Sequence, residues 1–431
     1  MKKRIIFLAL ILPLMGAAQT NITLKGAIDT TLRNSFDIQI AENNLYISKI
    51  NNTFGVAGGL PSINATVNDN QSYNNVNQKL NTGAEIKKSS ATSNNMSSNI
   101  TAGIILFNGF RVVATKGRLE HLQSLSELQL NLQVQNSIAT VMAKYYDIIR
   151  QQEYLKIIQV SLEVSQQYLE IVTARKNVGM ANDADYLQAL IDVNTAEQNL
   201  KNQQLEVDRT KTDLLEIMSQ KKFYPITVKD SIVVDRSIEL NTVTSYLRQN
   251  PQYLSAERQI SINKQIVKEV SALRYPSLRL NTGYSLNRNQ NAAGLQLLNQ
   301  TYGPFAGLNL QIPIYNGNIY KVQKKTATFN VDNAVLEQEN LLNTLTSDAV
   351  RMYQSYSTTL TQLDSQRNTI AMSDKLVHLV LQRFQVSQAT ILDVKAAQAS
   401  YETTGYQLVN LNYAAKIAEI ELKRLMYQLG N

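Results

Sequence analysis

Few residues of this chain could do chemistry by themselves. Its 431 residues include no cysteine and two histidines, His121 and His378, each alone inside a long helical pattern. A metal centre needs several ligands converging on one point, and a general base needs an oriented partner. Neither spacing occurs, so no catalytic residue, metal site or cofactor is expected. Without cysteine, disulfides, thiolate ligands, a thiol nucleophile and an N-terminal lipid anchor are all excluded. The acids that stand out are Asp185 and Asp393, 208 positions apart. Asn182 and Thr390 precede them by three residues, the spacing of a helix N-cap with its capping box.

That offset belongs to a duplication. Asn108-Gly109 returns as Asn316-Gly317, Arg175 as Arg383 and Met218 as Met426, all 208 positions later, whereas Leu60-Pro61-Ser62-Ile63 returns as Tyr275-Pro276-Ser277-Leu278 after 215. The chain is thus one layout written twice, over 19–225 and 226–431. One seven-residue insertion lies between Ser62 and Asn108, and it is expected in the polar loop Tyr73 to Ser97. Two copies are too few for a solenoid and suggest pseudo-symmetry within a larger ring.

Residues 1–18 read as a cleaved secretory signal. Lys2, Lys3 and Arg4 precede an apolar run, and small residues precede a cut between Ala18 and Gln19. Removing these three bases leaves 39 against 34 acids, a net charge of +5. The excess is mild and dispersed, which argues against nucleic acid as a partner. Charged residues make up 18% of the chain, below the roughly 25% of ordinary soluble proteins. Neutral polar residues replace them, and such a surface suits walls that line water.

The elements follow from breakers and period. Neither Arg118 to Val178 nor Asn318 to Thr404 contains glycine or proline, and Ile138, Val141, Tyr145, Ile148, Leu155, Leu162 and Leu169 mark a heptad seam. A helix of that length is a rod of roughly 90 Å that needs support along its side. Return helices are expected over about 183 to 220 and 390 to 429, giving two long antiparallel hairpins. Before each hairpin the period changes to two. Leu278, Leu280, Thr282, Tyr284 and Leu286 alternate with polar residues, as do Leu308, Leu310, Ile312 and Ile314; Ile63, Ala65 and Val67, then Ile100, Ala102, Ile104 and Leu106, repeat the pattern. Four strands of about ten residues result, long enough to cross a bilayer when tilted. The second pair is joined by a polar loop from Asn287 to Thr301. Pro61 and Pro276 end the preceding helices, and Gly109 and Gly317 permit the sharp return from strand to helix.

The expected class is mainly α with a membrane β-barrel portion. Lipid tolerates no open sheet edge, and four strands are fewer than the roughly eight that close a barrel. If these strands span a membrane the chain must therefore oligomerise; otherwise they form a soluble sheet or ribbon. Eight strands from two copies or twelve from three both satisfy that arithmetic.

In this order the residues resemble the outer membrane efflux protein family, the TolC family, over nearly the whole mature chain. The elements that carry the resemblance are Pro-Ser before each strand pair, Phe107-Asn108-Gly109 and Tyr315-Asn316-Gly317 after it, and the helix ends Arg175-Lys176-Asn177-Val178-Gly179 and Arg383-Phe384-Gln385-Val386-Ser387. The resemblance implies a homotrimer whose twelve strands form a barrel in outer membrane lipid and whose helices form a periplasmic tunnel. It implies that the hairpin tips, Val178, Gly179 and Met180 with Val386, Ser387 and Gln388, meet a periplasmic adaptor, or membrane fusion protein, which links the channel to an inner membrane transporter. It places Asp185 and Asp393 at the periplasmic aperture. Where the family has a second acid, a tyrosine and an arginine near that aperture, this chain has Ala396, Phe384 and Ala389, so closure is expected to use other contacts. The competing reading is an exported structural coiled coil or surface fibre, which explains the heptads but not the alternating strands. A helical exported enzyme such as a polysaccharide lyase lacks its clustered catalytic side chains.

Overall fold

The structure is a computed structural model that describes residues 20–429; the signal segment and Ala18 and Gln19 lie outside the described residues. Strand β1 (Thr20–Asn21) leads into helices α1 (Leu24–Asn34) and α2 (Phe36–Asn51), then strands β2 (Ser62–Lys79) and β3 (Glu85–Phe107), and the long helices α3 (Arg111–Asn177) and α4 (Asp183–Ile217). The second copy follows with β4 (Ile226–Thr227), α5 (Leu240–Tyr246), a 3-10 turn, α6 (Pro251–Ala272), β5 (Ser277–Asn291), β6 (Leu298–Gln311), α7 (Ile319–Gln385) and α8 (Ile391–Leu425). The protein is mostly helical with one four-stranded antiparallel sheet. No described helix is long and apolar enough to cross a membrane.

The chain forms two compact units, and the division cuts across the copies. One contains residues 42–129 and 252–341, the other residues up to 41, 130–251 and 342 onward. Both α3 and α7 cross from one unit to the other, so each copy contributes to both.

In the first unit the strands stand in chain order, β2-β3-β5-β6, all antiparallel. The β3–β5 ladder joins the two copies, pairing Ile100 with Tyr284 and Ile104 with Leu280. Period two then sorts the sheet into two faces. Ile63, Ile100, Leu280, Tyr284 and Leu308 share one face, whose large apolar side chains are largely exposed within the protomer. The opposite face carries Asn64, Thr101, Asn99 and Asn281.

The strands correct the sequence reading. They run 18, 23, 15 and 14 residues rather than about ten. Tyr73 to Ser97 is mostly strand, with its turn confined to Leu80–Ala84, and Asn287 to Thr301 shrinks to a turn over 292–297. The seven-residue insertion therefore lengthens strands, not a loop. Alternation of apolar and polar residues marks only the stretch with an apolar face. Beyond Val67 both faces are largely polar, with Tyr73, Met96 and Leu298 scattered among Asn, Gln and Ser, yet the ladder continues because it satisfies backbone groups whatever the side chains are.

In the second unit α3 runs antiparallel to α4, with Gln203 Nε2 donating to the Gln151 carbonyl at 3.0 Å, and antiparallel to α8, with Tyr154 donating to Asn410 Oδ1. Two cores stabilise these helices. One gathers Val141, Tyr145 and Ile148 of α3, Leu214 of α4, Ile226 of β4 and Ile420 of α8. Inside it the Tyr145 hydroxyl reaches Asp230 Oδ2 at 2.5 Å and the Ile22 carbonyl at 3.2 Å, and burial followed by Asp230 raises its pKa. The other joins Val164, Tyr168 and Val172 to Ala189, Val377, Leu381, Phe384, Val394 and Ala397. The seam on α3 thus follows the heptad through Ile148 and then departs from it. Ile157, Ile158, Ser161, Val164 and Tyr168 are buried, while Leu155, Leu162 and Leu169 are half-buried. The partners change between the two cores, since α1 and β4 give way to α7 while α4 and α8 pack in both, so the buried face turns with them.

A buried ion network pins the segment after β4 to α8. Lys416 Nζ donates to Glu419 Oε1 and Oε2 at 2.9 Å and to the Val233 carbonyl at 2.8 Å. Lys423 bridges Glu419 and Asp235, both at 2.9 Å. Glu419 in turn accepts from the Asp235 amide at 2.9 Å, and Tyr356 donates to the Asp235 carbonyl.

Candidate functional site

The hairpin tips are built from four recurrent helix ends. At the end of α3 the Met180 amide bonds the Arg175 carbonyl at 2.8 Å and the Gly179 amide the Lys176 carbonyl at 3.0 Å. At the end of α7, Gln388 and Ser387 make the same bonds to Arg383 and Phe384, at 2.8 and 3.0 Å. These are Schellman caps, and they require a left-handed residue at the turn. Gly179 supplies it freely at φ +77°, whereas Ser387 is held at φ 63°. Helices α4 and α8 end the same way on Ser219 and Tyr427. Ser387→Gly is expected to stabilise its tip by about 1 kcal/mol and Gly179→Ala to destabilise the other by a similar amount; amide exchange of the tip residues reads both, and equal protection across the three proteins would refute the strain.

The return helices start on side-chain caps. Asn182 Oδ1 accepts from the Asp185 amide at 2.8 Å, and Thr390 Oγ1 accepts from the Asp393 amide at 3.3 Å. The full capping box forms at the second copy, where Asp393 Oδ2 accepts from the Thr390 amide and hydroxyl, both at 2.8 Å. Those two bonds, the backbone one first, hold the exposed Asp393 carboxyl below the usual carboxylate range. At the first copy one half of the box is present, and Asp183 instead pairs with Lys176 at 2.8 Å. Val178 and Met180 are each 70% exposed and Val386 is 62% exposed, so both turns present apolar side chains outward.

Between the tips lies a contact that spacing could not reveal. Arg175, at the end of α3, donates to the Phe384 carbonyl and, at 3.2 Å, to Ser387 Oγ at the end of α7; its guanidinium stacks 4.4 Å from the Phe384 ring. Phe384 is buried against Tyr168, with ring centroids 5.1 Å apart. Burial, with Asp185 and Asp192 adding to it, pushes the Tyr168 pKa up to about 12. Further along, Lys395 of α8 pairs with Asp192 of α4 at 2.8 Å, and Gln398 and Glu402 of α8 bond Ser161 of α3. The two hairpins of one protomer are therefore tied by one arginine, one ion pair and a serine-centred cluster. No motif signals these partners, which come from helices more than 200 residues apart in sequence.

Helix α2 ends at Asn51, ten residues before Pro61, so that proline does not end it as expected, whereas α6 ends at Ala272, four residues before Pro276. Pro61 and Pro276 stand immediately before β2 and β5. Gly109 and Gly317 take φ +68° and +66°, and each is followed by a second left-handed residue, Phe110 or Asn318 at φ 65°. The copies then differ. A Cβ at Gly109 would lie 2.7 Å from the Ala272 carbonyl oxygen, while one at Gly317 would meet nothing within 4 Å.

Comparison with known proteins agrees with this layout. The family model for outer membrane efflux proteins matches residues 27–220 and 243–426, one segment in each copy. The outer membrane protein TolC of Escherichia coli strain K12 is 20% identical over 323 residues, 72% of this chain and 65% of that protein, so the match spans just under two thirds of that relative. Among solved structures, the outer membrane protein VceC of Vibrio cholerae superposes with a TM-score of 0.70 at 15% identity over 94% of this chain and 95% of that one. The CmeC outer membrane channel of Campylobacter jejuni gives 0.74 at 14% identity over 94% and 85%. Both share the fold.

Proposed function

Because the chain belongs to the outer membrane efflux protein family, we propose that it is an outer membrane channel, the passive exit duct of a tripartite efflux pump or a type I secretion system. One observation carries this reading. The four-stranded sheet exposes a continuous apolar face, and β2 and β6 each keep one edge unpaired in the sheet. In lipid such edges must close on neighbouring copies. A homotrimer supplies twelve strands for an outer membrane barrel and six hairpins for a periplasmic tunnel. Each copy, 19–225 and 226–431, gives two strands and one hairpin, so the copies are not separable domains. Energy and selection come from an inner membrane transporter, through an adaptor that docks on the tips at Val178, Gly179, Met180, Val386, Ser387 and Gln388. The exposed apolar side chains at both turns support that docking.

Asp185 and Asp393 face the periplasmic aperture in this reading, and Arg175, Lys395–Asp192 and the Ser161 cluster hold it narrow. Asp393 gives the one ring of charge that this return helix supplies. Its carboxyl is lower in pKa in the folded chain than in the unfolded one, so its capping contribution is complete above about pH 4 and is lost as pH falls through the folded value. Asp393→Asn keeps a cap acceptor and removes the charge; cation preference in a planar bilayer is expected to drop, and an unchanged preference would refute the ring. Membrane fractionation tests the function itself. Recovery with the outer membrane is expected, while recovery only in soluble or surface-shed fractions would favour a structural fibre.

A further inference from the structure

The polar face of the sheet carries a feature that the duct reading does not use. From the Ser277–Gln311 row to the Asn289–Asn299 row, that face holds one charged side chain among the described residues, Arg279. Its row-mates are Ile105 and Asn309, and the next row holds Gly103 and Asn281. No acid lies on this face within those rows to neutralise it. The sheet's four glycines, Gly103, Gly283, Gly303 and Gly307, all lie on this face too. Glycine kinks let strands curve, and a barrel that turns its apolar face to lipid has this face on its concave side. In a closed barrel the concave face lines water.

Arg279 also lies flat against the wall. A Cβ at Gly103 would sit 2.7 Å from its Nη2 and 2.9 Å from its Nε, so the missing side chain at 103 is what gives the guanidinium its place. The exposed guanidinium thus lies over Gly103 on the sheet surface and does not extend toward either rim.

We propose that Arg279 weights the barrel end of the duct toward anions, against the cation preference that the Asp393 ring gives the periplasmic end. This rests on the oligomeric barrel of the preceding reading. Symmetry places each protomer's Arg279 at one height in the lumen, forming a ring of positive charge that concentrates anions and repels cations. Anionic small molecules are then the cargo class this ring favours. Three unit charges acting through water from about one screening length, roughly 10 Å at 0.1 M salt, change the anion-to-cation ratio about fivefold.

The test uses the full-length protein, purified as its native oligomer and inserted in planar bilayers under a potassium chloride gradient. Arg279→Gln is expected to lower the chloride-to-potassium permeability ratio about fivefold at 0.1 M salt, and most of that difference should vanish at 1 M, where screening shortens to about 3 Å. Arg279→Lys should keep the wild-type ratio. Asn309→Asp places a carboxylate beside the intact arginine and should lower the ratio as the glutamine does, which keeps the test valid if Arg279→Gln assembles poorly. An oligomeric, conducting Arg279→Gln or Asn309→Asp protein with the wild-type ratio would overturn the assignment and leave the duct standing. A wild-type protein that neither oligomerises nor conducts would overturn both.

Discussion

Gly283→Val is expected to eliminate the folded sheet. Gly283 stands opposite Thr101 in the β3–β5 ladder, the seam between the two copies. A Cβ there would fall well inside contact distance of the Ile100 carbonyl oxygen and 3.0 Å from the Phe305 ring. The ring can swing away, but the carbonyl belongs to the neighbouring strand and cannot move without breaking the ladder. Forcing a branched side chain into such a site is in the tail of measured effects, about 4 kcal/mol or more. Gly303→Val is the control, because it lies on the same face and its Cβ would meet nothing within 4 Å. Folded protein should be recovered from membranes for the control and be absent for Gly283→Val. Equal recovery would mean that the two copies are not joined as described.

Glu419→Ala is expected to loosen the helical unit by about 3–5 kcal/mol, the usual effect of stranding a buried charge. The Glu419 carboxylate is enclosed and receives Lys416, Lys423 and the Asp235 amide. Removing it leaves the buried Lys416 ammonium with a single carbonyl partner. Lys423→Ala should cost far less, because that side chain is partly exposed. Acid acts on the same network. The Ser237 hydroxyl and Lys423 hold the Asp235 carboxyl far below the usual range, so its contribution is complete above about pH 4 and fades as pH falls toward the folded value. Thermal unfolding followed by circular dichroism should show Glu419→Ala lowered well beyond Lys423→Ala. Equal midpoints would place the network outside the folded core.

The sequence made the plan legible because the plan is repetitive. Stretches without breakers set α3 and α7, period two set the faces of β3 and β5, and Asn182, Thr390, Gly179 and Gly109 act where their types allow. Strand length was hidden, because polar residues such as Asn70 and Asn95 pair in the ladder without any alternation to betray it. The lower seam of α3 was hidden because its partners change between the two cores. The ties at the tips were also hidden. Arg175 meets Phe384 and Lys395 meets Asp192 through folding of distant helices, and no local pattern encodes such a meeting. The strain at Phe110, Ser387 and Tyr427 is unreadable for a related reason, since a left-handed turn on a non-glycine residue departs from the preference that makes glycine a signal.

The central claim is that these strands close a barrel only in company. The protein extracted from outer membranes in mild detergent should have the mass of three chains and should open steady, ohmic conductance when added to a planar bilayer. A monodisperse monomer without conductance would contradict both the closure of the sheet and the channel.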